Sequence, residues 1–458
     1  MSAFNLALES GDVEHNEAPL ANGEETHTVA NAIAEAEGLA QEAADAEGVA
    51  SDLDDEQEQT EELAETVEAE VAQEGALDPT AARLLHLSFR NIVGKQQAAK
   101  LPATESWAGT RAAARENTRM ALESIKDTLK QFWEAIKAQF KKVYAKVKDW
   151  IVKTFSTAKK LKDRAEKLQS RANGTVGTIE DKQFSFGQTK AIAVDGKYNE
   201  PGALLSGLKE IRGLITGTIS ELKKDAVDGA IEDLTNALKG AFTGSGKTRS
   251  LGNLGNLTAA VKKGVQGAST KATPATVGDV TKYNAQYGEA SEVDVTGVFG
   301  LPGGKAVLQV AFKGTSSDIE GAVKELRTGR LVLASDRYQA RDVTEGDVKT
   351  LNTSQVDKLC DDVIEIAESV YGFEKNWKEN ERVVEKVQKE VDDIVKDFDR
   401  EDEADARDQR HFRNFANGAM AALRRHANFK ASLCSYAIST GNAFLNYGER
   451  SLGQHKTK

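Results

Sequence analysis

From Leu122 to Phe155, apolar side chains recur at spacings of three and four: Leu122, Ile125, Leu129, Phe132, Trp133, Ile136, Phe140, Val143, Val147, Trp150, Ile151 and Phe155. That period marks one face of a helix. Pro102 ends a shorter amphipathic stretch over 80–100, and no Pro follows until Pro201, so the reading is one long helix over roughly 107–172. A helix of that length cannot hide its stripe alone. The chain is therefore expected to be mainly α, an elongated helical bundle.

The other faces of this helix carry Lys141, Lys142, Lys146, Lys148, Lys153, Lys159, Lys160, Lys162, Arg164 and Lys167. Residues 81–172 hold 21 basic and 8 acidic side chains, a net of +13. A basic amphipathic helix has three uses. It packs its stripe in a bundle and shows lysines to water, it sets those lysines against nucleic-acid phosphates without reading sequence, or it lies on a membrane surface. Bundle packing and phosphate contact are compatible.

Charge is distributed as unevenly upstream. The first Lys or Arg is Arg83, whereas residues 1–80 hold 23 Asp and Glu, so a net charge of −12 conceals an acidic leader and a basic body. Rich in Ala, Glu, Gln and Asp with one aromatic residue, Phe4, the leader has little apolar surface to offset its ordering entropy. It is expected to be disordered or transiently helical, with helix-forming composition over 60–71 and a stop-and-restart signal at Asp78-Pro79.

Beyond Asn173-Gly174 the texture changes. Residues 182–187 and 190–196 read as a short β-hairpin, residues 203–242 as a long helix, and a Gly-rich loop follows. Alternation at Val293–Phe299, Ala306–Phe312 and Arg330–Ser335, with a helical stretch at Asp318–Leu326, gives a small α+β insertion. Periodic segments over 352–400 and 405–452 close the chain. The expected organisation is a leader (1–80), a basic arm (81–172), a hairpin, helix and Gly-rich loop (173–270), the insertion (271–350) and a C-terminal helical region (351–458).

Motifs for catalysis are weak. Thr243-Gly-Ser-Gly-Lys-Thr248 resembles the end of a phosphate-binding loop, but Ala241 occupies the position of the required first Gly. The segment also follows an amphipathic helix, whereas such loops follow a β-strand. A nucleotide hydrolase using Lys247 is thus the weakest class. No nucleophile elbow or zinc-binding pair of histidines occurs, and Cys360 and Cys434 do not make a disulfide framework. No cofactor, metal or small-molecule substrate is expected. The opening residues lack a basic n-region and apolar h-region, and no apolar run reaches membrane-spanning length.

The leader also holds small-x-Glu triplets: Ala7-Leu8-Glu9, Ala40-Gln41-Glu42 and Ala72-Gln73-Glu74, the last followed by Gly75. Ala103-Thr104-Glu105, followed by Ser106, is another. These triplets resemble the maturation sites of giant phiKZ-like tailed phages, whose prohead proteases cut after Glu and remove acidic propeptides from head proteins. The opening Ala7–His15 is similar to the start of internal head (inner body) proteins of that group. The resemblance implies a non-enzymatic virion structural protein, assembled in the host cytoplasm and located in the head interior. Its implied partners are other virion head proteins, the prohead protease and non-specific double-stranded DNA. Cleavage would fall at Glu74–Gly75, or at Glu105–Ser106. A cut after Glu74 removes 22 acidic and no basic side chains, leaving 60 basic and 50 acidic. The lysine and arginine side chains from Lys141 to Lys167 are the expected DNA or anion contacts. The rival class is a membrane-active or ejected effector inserting Trp133, Phe140, Trp150 and Phe155.

Overall fold

The computed structural model describes residues 23–175, 178–179, 181–221, 242–243, 250–251, 293–312, 319–335, 346–372, 385, 389 and 406–455. Outside them lie the first leader triplet, Lys247 and its neighbours, and most of 373–400.

The expected long helix is α3, Arg111–Gly174, started by Thr110, whose Oγ1 accepts from the Ala113 N–H at 3.3 Å. Its stripe is the spine of the molecule: Ile125, Ile136, Val147, Trp150 and Ile151 are almost wholly buried. A shorter helix, α2 (Pro79–Ala98), precedes it and kinks at Gly94, whose φ is 83°. Asp78 caps α2, its Oδ1 accepting from the N–H groups of Thr80 and Ala81 at 2.7 and 2.8 Å, with Pro79 in the first turn. A 3₁₀ turn, Thr104–Ala108, then drops Trp107 into a cluster with Leu85, Phe89, Leu101, Ile125 and Leu129.

The leader is expected to be disordered or transiently helical, with helix-forming composition over 60–71. Residues 1–22 lie outside the described residues, but Gly23–Ala72 is one helix, α1, packed mainly along α3. It buries Ala32, Ile33, Ala46, Ala50, Ala64 and Val67. As a lone chain the leader has little apolar surface to offset its ordering entropy. Docked on α3 it gains apolar contact, and lysines face a helix that would otherwise repel itself. Few large side chains are involved, so the two helices approach largely through alanine.

The second half of α3 enters the main core with α5 (Pro201–Glu221), the helix over 353–372 (α7) and α8 (Ala406–Gly453). Gln169 and Lys162 meet Asp361 and Glu368 in turn, so α7 runs antiparallel to α3. Trp150 donates to Ser435 at 2.8 Å and Arg164 bonds Glu449, so α8 runs parallel to α3. Gly441 and Gly448 let α8 approach closely: a Cβ on Gly448 would stand 3.2 Å from Leu168 Cδ2.

The small insertion is a three-stranded antiparallel sheet, β4 (Val293–Leu301), β5 (Lys305–Phe312) and β6 (Arg330–Ser335), in that order, with helix α6 (Ile319–Thr328) before β6. Tyr436 of α8 donates to Pro302 O at 2.8 Å, which ties the β4–β5 turn to the bundle.

The expected hairpin at 182–196 is not formed. Gln183–Phe186 (β1) pairs instead with Gly346–Lys349 (β7), and Thr189–Ile192 is a single helical turn, α4. The tight turn lies further on, at Asp195 and Gly196 with φ of 50° and 74°, flanked by a Val194–Lys197 bridge. Phe242–Thr243 (β2) and Ser250–Leu251 (β3) pair antiparallel on either side of the segment that contains Lys247.

Candidate processing joint and basic face

Helix α1 ends with a 70–75 closure in which the Gly75 N–H donates to Glu70 O at 2.8 Å and the Glu74 N–H to Val71 O at 3.1 Å. This is the six-to-one and five-to-two pattern that closes helices, and its left-handed position normally belongs to Gly. Here Glu74 holds it, with φ of 52°. Gly75 follows, where a Cβ would lie 3.0 Å from the Glu70 carbonyl oxygen. Glu74 is exposed, and the next anchor is Leu77, buried, whose N–H donates to Thr118 Oγ1 at 3.2 Å. Glu105 and Ser106 are also exposed, inside the 3₁₀ turn. Ser106 Oγ donates to Ala103 O at 2.6 Å, and the next residue is the buried Trp107.

The basic side chains of α3 over 141–167, together with Lys126, fall into three groups. Lys146 is paired with Glu42 and Lys153 with Glu35, both on α1, while nearer the joint Lys126 meets Glu68 at 3.1 Å. The order is antiparallel. The Glu42 carboxylate accepts a hydrogen bond from Lys146 and holds its ammonium above the usual lysine range. A second group serves the bundle. Lys162 pairs with Glu368 of α7 at 2.6 Å, which likewise raises its pKa. Arg164 is buried, its Nε and Nη2 donating to Glu449 at 3.2 and 2.8 Å while Asn442 and Asn446 accept the remaining bonds. Arg164 is therefore a packing residue of the α3–α8 seam, removed from the expected anion set. Lys141, Lys142, Lys159 and Lys160 form the third group, exposed and without an ionic partner among the described residues; Lys148 and Lys167 are exposed but engaged.

Another leader carboxylate, Glu58, pairs with Arg327 of α6. The sequence pattern gives Glu35, Glu58 and Glu68 no role and marks Glu42 only as the end of a small-x-Glu triplet. A signal did exist: Glu35 and Glu42 are seven residues apart, as are Lys146 and Lys153, which suits two helices running side by side.

The aromatic side chains required for membrane insertion are in use elsewhere. Trp133, Trp150 and Phe155 are buried, and the Phe140 side chain lies outside the described residues. Among the described residues no helix is long and apolar enough to cross a membrane, and no group of three or more His, Cys, Asp or Glu could hold a metal. Both cysteines are buried, and desolvation pushes each thiol up to about 12.

A family model described as phiKZ-like phage internal head proteins matches residues 28–450, from inside α1 almost to the end of α8. The chain belongs to that family. Membership places it inside the phage head among other head components. No curated protein and no solved structure matches the chain. The match takes in most of the acidic helix as well as the basic arm, so the pairing between the two lies within the matched region.

Proposed function

We propose that this internal head protein is a structural, non-catalytic component made as a precursor, and that a separate prohead protease removes its acidic leader after Glu74. The body so released presents α3 to packaged DNA or to other inner-head proteins. One observation carries this reading: leader carboxylates and arm lysines pair in antiparallel order, Glu68 with Lys126, Glu42 with Lys146 and Glu35 with Lys153. The leader is the arm's own counterion. Exchanging it for DNA gives each lysine a phosphate and releases the condensed counterions of the duplex, a gain that needs no base readout.

The joint suits such a cut. Proteases take their substrates as extended chain at exposed connections, and Glu74 lies at one, in a backbone conformation unfavourable for a residue with a Cβ. Cutting at Glu105 instead requires Trp107 to leave its pocket, and it detaches α2, which supplies Leu85 and Phe89 to the cluster around Ile125. The leader's grip on α3, made through alanines and part-exposed ion pairs, is one that salt and a competing polyanion weaken.

The test is the N-terminus of the protein in purified particles, read by mass spectrometry. A start at Gly75 supports the reading. A start at Ser106 moves the joint, and an intact leader removes the precursor from the account.

A further inference from the structure

The leader covers only part of the basic face. At 100° per residue, Lys142, Lys146, Lys153 and Lys160 fall within about 40° of one another around α3 and span about 27 Å along it. They form one row, and Lys141 and Lys159 lie about 100° round the helix to one side of its two ends. The two central members are paired with Glu42 and Glu35 of the leader, whereas Lys142 and Lys160 at the ends, like Lys141 and Lys159, are exposed and unpaired among the described residues. Val152 and Ser156 are exposed between them, and one exposed carboxylate, Asp149, lies within the row beside Lys146.

We infer that the uncut protein already binds double-stranded DNA through Lys141, Lys142, Lys159 and Lys160, and that leader removal extends this contact to the centre of the row. The inference rests on the DNA-contact reading above and changes its logic, since the leader sets the number of contacts and does not switch binding on. Complementarity of charge is what commits the surface to this occupant. A duplex length of 27 Å carries on the order of 16 phosphate charges, so each lysine of the row meets a phosphate whatever the sequence. The ends of the row provide the first foothold, and the duplex then stands against the same lysines that Glu35 and Glu42 hold.

The test is fluorescence anisotropy of a random-sequence duplex at graded salt, with uncut full-length protein and with processed protein recovered from particles. Each lysine–phosphate contact contributes a slope of about −0.9 in log affinity against log salt. Uncut wild type is expected to show about −3.6, K142Q/K160Q about −1.8, and K146Q/K153Q an unchanged −3.6, because those lysines are occupied. Processed protein should steepen to about −5.4, and here K146Q/K153Q should return it to about −3.6. These positions are on the surface, so the variants fold. If uncut protein fails to bind at 50 mM salt while processed protein binds, the inference is overturned and the DNA-contact reading survives. If neither form binds, both fall. Equal weakening of the uncut protein by the two double variants also overturns the inference.

Discussion

Replacing Arg164 with Met tests whether α3 and α8 are locked by a buried ion pair. Arg164 and Glu449 have side chains 5% and 17% exposed, so the guanidinium and carboxylate interact away from most solvent screening. Arg164 is long enough for Met to fill much of its volume, which leaves the lost charge as the main effect. Glu449 would remain in a desolvated position with its partner gone, and Asn442 and Asn446 would lose their donor. Breaking a buried pair in this way costs about 3–5 kcal/mol, whereas replacing both partners with apolar residues is often close to neutral. R164M is therefore expected to cost about 3–5 kcal/mol, and R164M/E449M to recover at least about 2 kcal/mol of it. Denaturant titration followed by tryptophan fluorescence is a suitable assay, because Trp150 donates to Ser435 across the same seam. A cost below about 1 kcal/mol for R164M, or a double variant no more stable than the single one, would refute the reasoning. Either result would reduce Arg164 to a space-filling side chain.

Three further outcomes are expected. Gly448→Val should destabilise the bundle by about 1–3 kcal/mol through overpacking against Leu168 and Val356, seen as an earlier unfolding midpoint. Cys360 and Cys434, with thiols pushed up to about 12, should resist a thiol reagent in native protein and react fully once unfolded. The unfolded thiols ionise near 9.0 and the native ones near 12, so their contribution to stability falls as pH rises through that window. Glu74→Gly should stabilise the end of α1 by about 1 kcal/mol, since it relieves a Cβ at positive φ. In particles the same change should leave the leader attached, as an intact-mass measurement would show.

Local signals placed α2, α3 and the small sheet well. The three- and four-residue stripe gave the long helix close to its observed bounds, Asp78-Pro79 marked a real cap, and alternation found β4, β5 and β6. What escaped was decided by distant partners. The acidic leader could not be read as a docked helix from its own composition, because the alanines and glutamates of α1 become favourable only against α3. Phe184 and Phe186 find their strand partner more than a hundred residues later, and the Tyr447 ring packs against both at a tilt. Arg164 was legible in part: Leu161 and Leu168 flank it at three and four residues, which puts it on the apolar stripe instead of the lysine face. The leader glutamates were the largest loss, since their role depends on the register of two helices.

That register is the central claim, and zero-length coupling of carboxylates to amines in full-length protein, read by mass spectrometry, tests it most directly. An antiparallel ladder of Glu68 to Lys126, Glu42 to Lys146 and Glu35 to Lys153 is expected, absent from processed protein taken from particles. Leader glutamates coupled indiscriminately to lysines along α3, or a ladder that persists after processing, would contradict it.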